Sequence, residues 1–248
     1  MQSKNLKKNF VCVMPMAGEG NRFKKYGYIT PKPLIKIKNE PMFLKAAKSF
    51  PRNLNWVFIA NEKINLKKVF KKYSNTNKKN FFLILKKKTQ GQASTVYKSL
   101  KYLNKTDKII VHSCDLTFKI DFNLLKKKID ENDLLVFTAR GSNYHFKNHK
   151  QFSWVKNDRN GCKISIKKRF KKKKNTKVLI GSFVFKNKVI MKKLLEYTFQ
   201  KKMRVKKEYY MDTLMKVADK LGYKLDEFVV KKYISWGSHK EFLKYNKR

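Results

Sequence analysis

An apolar segment that ends abruptly in glycines restricts the possible folds of this chain more than any other segment does. Residues 10–14 read FVCVM, and Gly18, Gly20 and Arg22 follow closely. A buried strand that leads into a glycine-containing loop lets backbone N–H groups approach a phosphate. The same pattern also occurs as a simple tight turn between a strand and a helix, so it leaves two interpretations open.

Two cations favour the phosphate interpretation. Arg22 lies two residues after the second glycine, and Lys32 lies between Pro31 and Pro33. Because proline fixes φ and restricts the residue before it, we expect Lys32 on a stiff, extended segment. A cation held in place loses less conformational entropy when it binds a phosphate. The sequence therefore predicts a site for a nucleoside triphosphate here.

Apolar runs of strand length alternate with amphipathic segments in the first part of the chain. The predicted strands are residues 10–14, 56–60, 81–85, 109–114 and 134–139. The predicted helices are residues 42–50, 66–73, 93–103 and 122–129. This alternation predicts an α/β fold, a Rossmann-like three-layer α/β/α arrangement with a mostly parallel central sheet. Ligands of such sheets bind at the carboxyl ends of the strands, where the glycine segment lies.

The second part of the chain has shorter strands separated by turn signals. The predicted elements are strands at residues 152–156, 163–167 and 178–185, helices at 189–201 and 210–221, a strand at 224–230 and a terminal helix. A length of 248 residues suits one domain. With no boundary visible in the pattern, we expect a single domain over residues 1–248.

The glycine segment resembles the start of the sugar-phosphate nucleotidyltransferases, also called nucleotidyl transferases or NDP-sugar pyrophosphorylases. The family pattern is a strand, GxGxR followed by Phe or Leu, and Pro-Lys-Pro-Leu after a spacer; here it reads GEGNRF and PKPL. The resemblance implies a GT-A-like fold with a nucleotide-binding half (1–145) and an acceptor-binding half (146–248). It implies an enzyme that joins a nucleoside triphosphate to a sugar 1-phosphate, giving an NDP-sugar and pyrophosphate for cell-surface polysaccharide synthesis.

The resemblance also assigns roles to residues. Arg22 would bind the β and γ phosphates and Lys32 the charge on the α phosphate, which makes these two the predicted catalytic residues. A segment around Gly91 resembles the one that lies against the nucleobase and ribose, although small polar residues there are also typical of a helix N-terminus. The predicted nucleotide-binding residues are Ala17, Gly18, Glu19, Gly20, Asn21, Gln90, Gly91, Gln92 and Ala93.

Asp115 follows the apolar run IIVHSC, a place where packing explains a carboxylate poorly. It could be a turn former. The resemblance implies that it binds Mg²⁺, a cation that takes one or two carboxylates together with phosphate oxygens. Ser235 stands where many family members have a second metal-binding aspartate. Three alternatives follow: Asp115, phosphates and water hold Mg²⁺; another carboxylate takes part; or activity is impaired.

The predicted acceptor-binding residues rest on weaker similarities. Lys167 and Lys168 align with a family Glu-Lys pair whose lysine contacts the sugar phosphate. Lys168 is therefore the predicted anchor for the acceptor phosphate. The glutamate of the family pair is missing, because Lys167 stands in its place. Gly181 lies in a segment that resembles a strand where glycine allows close approach of the sugar. Glu208 would accept sugar hydroxyls, or it simply favours a helix N-terminus. Together with Asp115, these complete the predicted acceptor site.

The net charge of +45 would ordinarily suggest a nucleic acid or a membrane surface as partner. Of the 62 basic residues, seven are Arg and 55 are Lys, which favours compositional bias on solvated faces over nucleic-acid binding. The run 167–174 could be a nucleic-acid patch, or a loop with one functional lysine. The three cysteines lack the spacing of a disulfide framework or a zinc site; two of them, Cys12 and Cys114, are predicted core residues.

No apolar run is long enough for a membrane span or a signal peptide, so we expect a cytoplasmic protein, with homo-oligomerisation an open possibility. Two other functions stay open beside the sugar-phosphate one. The chain could be a cytidylyltransferase that acts on a polyol or choline phosphate. It could also be a degenerate, non-catalytic member of the fold that binds a polyanion, which the charge and Ser235 would suit.

Overall fold

The computed structural model describes residues 10–73, 80–159, 161–171 and 175–246. Three short 3₁₀ turns also occur in these ranges, at residues 32–34, 100–102 and 149–151. The strands are β1 (Phe10–Met16), β2 (Lys36–Ile37), β3 (Glu40–Pro41), β4 (Asn55–Asn61), β5 (Phe81–Leu85), β6 (Lys108–His112), β7 (Leu116–Lys119), β8 (Leu134–Ala139), β9 (Ser153–Asp158), β10 (Gly161–Ser165), β11 (Thr176–Phe185), β12 (Leu225–Val229) and β13 (Lys231–Ser235). The helices are α1 (Asn21–Lys24), α2 (Met42–Ala47), α3 (Leu66–Tyr73), α4 (Gln92–Tyr97), α5 (Phe122–Asp130), α6 (Asn143–Lys147), α7 (Lys188–Gln200), α8 (Met211–Lys220) and α9 (His239–Asn246).

Seven strands lie side by side in the order β5, β4, β1, β6, β11, β8, β12. β11 is antiparallel to both of its neighbours, and the other six run in one direction. The amino-terminal part of β11 also pairs with β9, which carries β10 as its hairpin partner. Because β11 lies between β6 and β8, the two halves of the chain share one sheet.

Helices cover both faces of this sheet because its strands are apolar on both sides. In β1, Cys12 and Met14 face one core, while Val11 and Val13 face the other. Helices α2, α5 and α9 pack on the first face, and α4, α7 and α8 on the second. This three-layer arrangement confirms the predicted α/β fold class and its mostly parallel sheet.

The structure departs from the sequence prediction at several elements. The predicted strand 109–114 ends at His112, so the chain leaves the sheet before Asp115. The predicted helix 93–103 is interrupted: α4 ends at Tyr97 and a 3₁₀ turn follows at residues 100–102. A two-stranded ribbon of β7 and β13, which the sequence pattern did not reveal, brings the C-terminal part of the chain to Asp115.

The three cysteines are free and buried, as the prediction for Cys12 and Cys114 requires. Burial raises the pKa of the Cys12 thiol well above its usual value. Within the described ranges, no helix has the length and apolar character needed to cross a bilayer.

His112, at the end of β6, is a fully buried histidine whose two ring nitrogens both have partners. Nε2 lies 3.0 Å from the carbonyl oxygen of Ala46, and Nδ1 lies 2.7 Å from Oγ of Ser182. A carbonyl can only accept, so Nε2 donates to Ala46 and Nδ1 accepts from Ser182. Burial lowers the pKa of His112 to about 4, although Ala46 and Asp115 partly offset this effect. The folded protein therefore holds this imidazole neutral.

This buried imidazole should make the free energy of unfolding depend on pH. The unfolded chain takes up a proton at His112 near pH 6.5, whereas the folded chain does so near pH 4. Stability due to this group is therefore complete above pH 6.5 and falls as the pH decreases, by about 3 kcal/mol at pH 4. Urea unfolding of the wild type and of His112→Gln between pH 4 and 7 should show a pH-dependent difference of that sign. Parallel curves would contradict this assignment.

Candidate active site

A cavity of about 480 Å³ opens where β1 and β6 end, at the carboxyl edge of the parallel strands. Ligands of α/β sheets bind at this edge. The segments that follow β1, β5 and β6 line the cavity, together with two residues that precede α8. The lining residues are Pro15, Met16, Ala17, Gly18, Glu19, Gly20, Asn21, Arg22, Lys32, Pro33, Lys88, Thr89, Gly91, Gln92, Thr95, Ser113, Cys114, Asp115, Glu208 and Tyr210.

The glycine loop between β1 and α1 is shaped to accept a ligand. A Cβ atom added to Gly18 would meet nothing within 4 Å, so this backbone faces open space. Gly20 has φ +67, and a Cβ there would lie 3.0 Å from Cβ of Lys32. The backbone N–H groups of Gly18, Glu19 and Gly20 donate no hydrogen bond within the described part of the chain. Free N–H groups that face a cavity are suitable donors for phosphate oxygens.

Lys32 and Asp115 form an ion pair on the cavity wall. Nζ of Lys32 lies 2.5 Å from Oδ2 of Asp115, and the two side chains are 17% and 22% exposed. Burial acts to raise the pKa of Asp115, but the charge and hydrogen bond of Lys32, with help from Arg22, lower it below its usual value. Asp115 is therefore an anion at neutral pH. The pair connects the turn after the glycine loop to the end of β6.

The local backbone around Lys32 differs from the prediction. Lys32–Leu34 form a 3₁₀ turn, closed by a hydrogen bond from the N–H of Leu34 to the carbonyl of Pro31, rather than an extended segment. The two prolines fix φ as predicted, yet Pro33 fits inside a 3₁₀ turn because its missing N–H is not needed there. The turn brings Lys32 over the ring of Phe23, with Nζ 5.6 Å from the ring centroid.

A second loop, from Lys88 to Gln92, forms the opposite wall and packs against the segment before α8. Gly91 has φ +118, and a Cβ there would lie 2.7 Å from both N and O of Tyr209. The N–H of Tyr209 donates to the carbonyl of Gln90, and the N–H of Ala93 donates to the carbonyl of Tyr209. Only glycine fits this contact, so Gly91 allows the loop after β5 to pack against the segment before α8.

The predicted nucleotide-binding residues divide into two groups. Ala17, Gly18, Glu19, Gly20, Asn21, Gly91 and Gln92 line the cavity. Gln90 and Ala93 do not: the side chain of Gln90 accepts a hydrogen bond from Arg204, and Ala93 is fully buried in the core. Three hydroxyl-bearing residues that are not among the predicted ones, Thr89, Thr95 and Ser113, line the cavity as well. Thr89 and Ser113 each follow an apolar strand, and that position is the signal that could have revealed them; Thr95 lies within α4.

The predicted acceptor-binding residues are also divided. Glu208 lies on the cavity wall beside Tyr210. Gly181, with φ +78, lies next to Ser113: an added Cβ would be 2.8 Å from Oγ of that residue, which explains the glycine without a ligand. Lys168 is exposed and lies outside the cavity lining, whereas the half-buried Lys167 approaches Tyr210, with Nζ 5.5 Å from its ring centroid.

The surroundings of Asp115 suit a hard cation. A Cβ added to Gly237 would lie 3.3 Å from Oδ2 of Asp115, 3.4 Å from Oγ of Ser235 and 3.8 Å from Oε2 of Glu241. Three oxygens therefore surround one small space. The described residues contain no group of three or more Asp, Glu, His or Cys arranged for a metal. This donor set fits Mg²⁺ only if phosphate oxygens and water supply the other ligands.

A second, larger cavity of about 740 Å³ lies between α6, β13 and α9. Its lining includes Lys38, Arg140, Lys232 and Tyr233 but no glycine. Size alone does not identify a nucleotide site. The smaller cavity has the glycine loop, Lys32 and the carboxylate of Asp115, and it is therefore the candidate active site.

Comparison with known proteins agrees with this geometry. The profile of the family described as nucleotidyl transferase matches residues 13–247. The chain belongs to the nucleotidyl transferase family. No curated protein sequence matches the chain significantly. The family resemblance seen in the glycine segment is thus confirmed over nearly the whole length.

Solved structures share the fold of this nucleotidyl transferase. The nucleoside-diphosphate-sugar pyrophosphorylase from Vibrio cholerae RC9 has a TM-score of 0.78 and 19% identity, over 96% of this chain and 100% of that one. The UTP-bound UGPase from Acinetobacter baumannii has a TM-score of 0.73 and 13% identity, over 96% and 92%. The inositol-1-phosphate CTP transferase from T. maritima has a TM-score of 0.71 and 17% identity, over 97% and 96%.

The close contact between Gly91 and the backbone of Tyr209 should make residue 91 intolerant of any side chain. Gly91→Ala should lower the melting temperature and weaken triphosphate binding, because the methyl group must displace the backbone of Tyr209. Gly222→Ala is the matched control: it also has positive φ (+73) but open space around an added Cβ, so it should cost only about 1 kcal/mol. Thermal melts with and without a nucleoside triphosphate measure both effects. Equal behaviour of the two variants would contradict the close contact.

Proposed function

We propose that this nucleotidyl transferase joins a nucleoside triphosphate to a sugar 1-phosphate and releases an NDP-sugar and pyrophosphate. The observation that carries the proposal is the Lys32–Asp115 pair beside the glycine loop, with Arg22 close enough to lower the pKa of the same carboxylate. Fixed positive charge, free backbone donors and one anionic side chain meet in a single cavity. This combination suits a bound triphosphate and its metal ion.

The proposed reaction is an in-line displacement at the α phosphorus. A phosphate oxygen of the acceptor forms a new bond to this phosphorus while the bond to the bridging oxygen of the β phosphate breaks, and pyrophosphate leaves with the electron pair. Such reactions depend mainly on positioning and on neutralising charge. Arg22 and the backbone N–H groups of the glycine loop would hold the β and γ phosphates, and Lys32 the α phosphate.

Asp115 is the proposed ligand for Mg²⁺, with Ser235 and Glu241 close to the same space. When bound, Mg²⁺ would neutralise phosphate charge between the nucleotide and the leaving group. Lys32 keeps Asp115 ionised before any ligand arrives, because its charge lowers the pKa of the carboxyl against the effect of burial. Ser235 adds a hydroxyl where many relatives have an aspartate, so one carboxylate and phosphate oxygens would do most of the binding.

The acceptor would lie beside the α phosphate, towards Glu208 and Tyr210. Glu208 could accept hydrogen bonds from hydroxyls, and Lys168 remains the proposed anchor for the acceptor phosphate. An NDP-sugar is an activated glycosyl donor, so the proposal extends to supplying cell-surface polysaccharide synthesis in the cytoplasm. The T. maritima neighbour, an inositol-1-phosphate CTP transferase, is the reason to keep a non-sugar phosphate as a second candidate acceptor.

The reaction is tested by measuring pyrophosphate release with Mg²⁺, the four common triphosphates, and a panel of sugar 1-phosphates with choline phosphate and polyol phosphates. We expect release with at least one combination. Arg22→Ala should lower kcat/KM by at least about a hundredfold, because the leaving pyrophosphate loses its planar cation. Arg52→Ala is the control, since this arginine is exposed and lies away from the cavity.

An unchanged rate in Arg22→Ala would remove this residue from the mechanism. No release across the panel, together with no triphosphate binding by calorimetry, would contradict the enzymatic function and favour the non-catalytic polyanion-binding alternative. Binding of that kind should weaken steeply between low and moderate salt.

The metal role of Asp115 has a test that does not depend on activity. Adding Mg²⁺ to the wild-type protein with a nucleoside triphosphate should raise the melting temperature beyond the effect of the triphosphate alone. Asp115→Asn should lose this additional rise because a neutral amide binds Mg²⁺ more weakly than a carboxylate. Asp219→Asn, an exposed position on α8, should keep it. Loss of the rise in both variants, or in neither, would contradict the assignment.

A further inference from the structure

Six basic side chains line a depression of about 540 Å³ that lies outside the triphosphate cavity. We call it the cationic depression; its lining residues are His149, Lys150, Lys167, Lys168, Arg169 and Lys206. No acidic residue is among these lining residues, and none of the six forms an ion pair with a described carboxylate. Exposed lysines that move freely would not indicate a binding site in so basic a chain. Two of the six side chains, however, are held in place by contacts within the protein.

Lys167 is held at the inner end of the depression. Its Nζ donates a hydrogen bond to the carbonyl of Gln151 at 2.5 Å and lies 5.5 Å from the ring centroid of Tyr210. Burial lowers the pKa of Lys167; Arg22 and Lys206 lower it further, and Asp212 opposes them. The side chain is thus partly dehydrated, and a bound anion beside it would stabilise its charge.

Arg169 is held by stacking. Its guanidinium lies over the ring of Phe146, 4.6 Å from the centroid, and also near Trp154, 5.6 Å from the centroid. Nε of Arg169 is buried and has no hydrogen-bond partner in the described part of the chain. A stacked guanidinium keeps its planar donors oriented, which suits recognition of a carboxylate or a phosphate.

The cationic depression adjoins the proposed reaction centre. Tyr210, whose ring lies near Nζ of Lys167, also lines the triphosphate cavity. The charge of Arg22, another residue of that cavity, lowers the pKa of Lys167. Asp212, the carboxylate that acts on Lys167, is itself buried, accepts a hydrogen bond from Ser153, and has a raised pKa because of burial. It is the nearest acidic partner of Lys167, but it does not line the cationic depression.

The two held side chains, Lys167 and Arg169, can only donate hydrogen bonds, and both attract negative charge. We propose that the acceptor carries a second anionic group, a carboxylate or a phosphate, in addition to the phosphate that attacks, and that Lys167 and Arg169 bind this second group. The inference rests on the proposed function, whose acceptor class it narrows to phosphorylated compounds that carry a second anionic group.

The experiment uses two acceptor pairs that differ at one group: glucose 1-phosphate with glucuronic acid 1-phosphate, and glycerol 3-phosphate with 3-phosphoglycerate. Each is titrated by calorimetry, at constant ionic strength, into the full chain with Mg²⁺ and an unreactive triphosphate analogue. We expect the more acidic member to bind about tenfold tighter in at least one pair, as one good charge-assisted contact allows. Glucose 1,6-bisphosphate then shows whether a phosphate replaces the carboxylate.

Lys167→Met should reduce this preference to less than about twofold, and Arg169→Lys, which keeps the charge but loses the planar fork, should reduce it partly. Lys163→Met, an exposed position on β10, should keep it in full. Equal affinity within both pairs, no binding by the acidic members, or a preference that survives in Lys167→Met would overturn the inference. Pyrophosphate release only with acceptors that lack the second anionic group would overturn the inference and leave the proposed function intact. A preference without any release would sink the proposed function instead.

Discussion

The half-buried ion pair between Lys32 and Asp115 is the interaction on which the rest of the site depends. It connects two segments that are 83 residues apart in sequence. Removing one partner would leave the other charge unmatched in a partly shielded place, which is costly. Gly20 permits the pair, since a side chain there would press on Lys32. The glycine loop and the carboxylate therefore form one unit.

A second constraint joins the nucleotide side to the acceptor side. The backbone of Tyr209 fills the space that a side chain at residue 91 would need, and it exchanges hydrogen bonds with Gln90 and Ala93. Glu208 and Tyr210, on either side of this contact, thus reach the cavity wall. Tyr210 of this segment lines the candidate active site and also lies near Lys167, so the cationic depression is close to that site.

The sequence predicted the strands of the sheet, the α/β class and the glycine loop, because each depends on local pattern: apolar runs, helical period and glycine with proline. It did not predict the ribbon of β7 and β13, whose strands are short and more than a hundred residues apart. Gly181 illustrates another limit, since its glycine is explained by Ser113, a neighbour that only the fold reveals. The sequence alone could not distinguish Lys167 from Lys168; the fold makes the first half-buried and leaves the second exposed.

If the triphosphate binds between the glycine loop and the Lys32–Asp115 pair, a crystal structure with Mg²⁺ and an unreactive triphosphate analogue will show it there. We expect the β and γ phosphates against the backbone N–H groups of residues 18–20 and Arg22, and the α phosphate beside Lys32. Phosphates bound instead in the larger cavity near Arg140, or in the cationic depression, would contradict it.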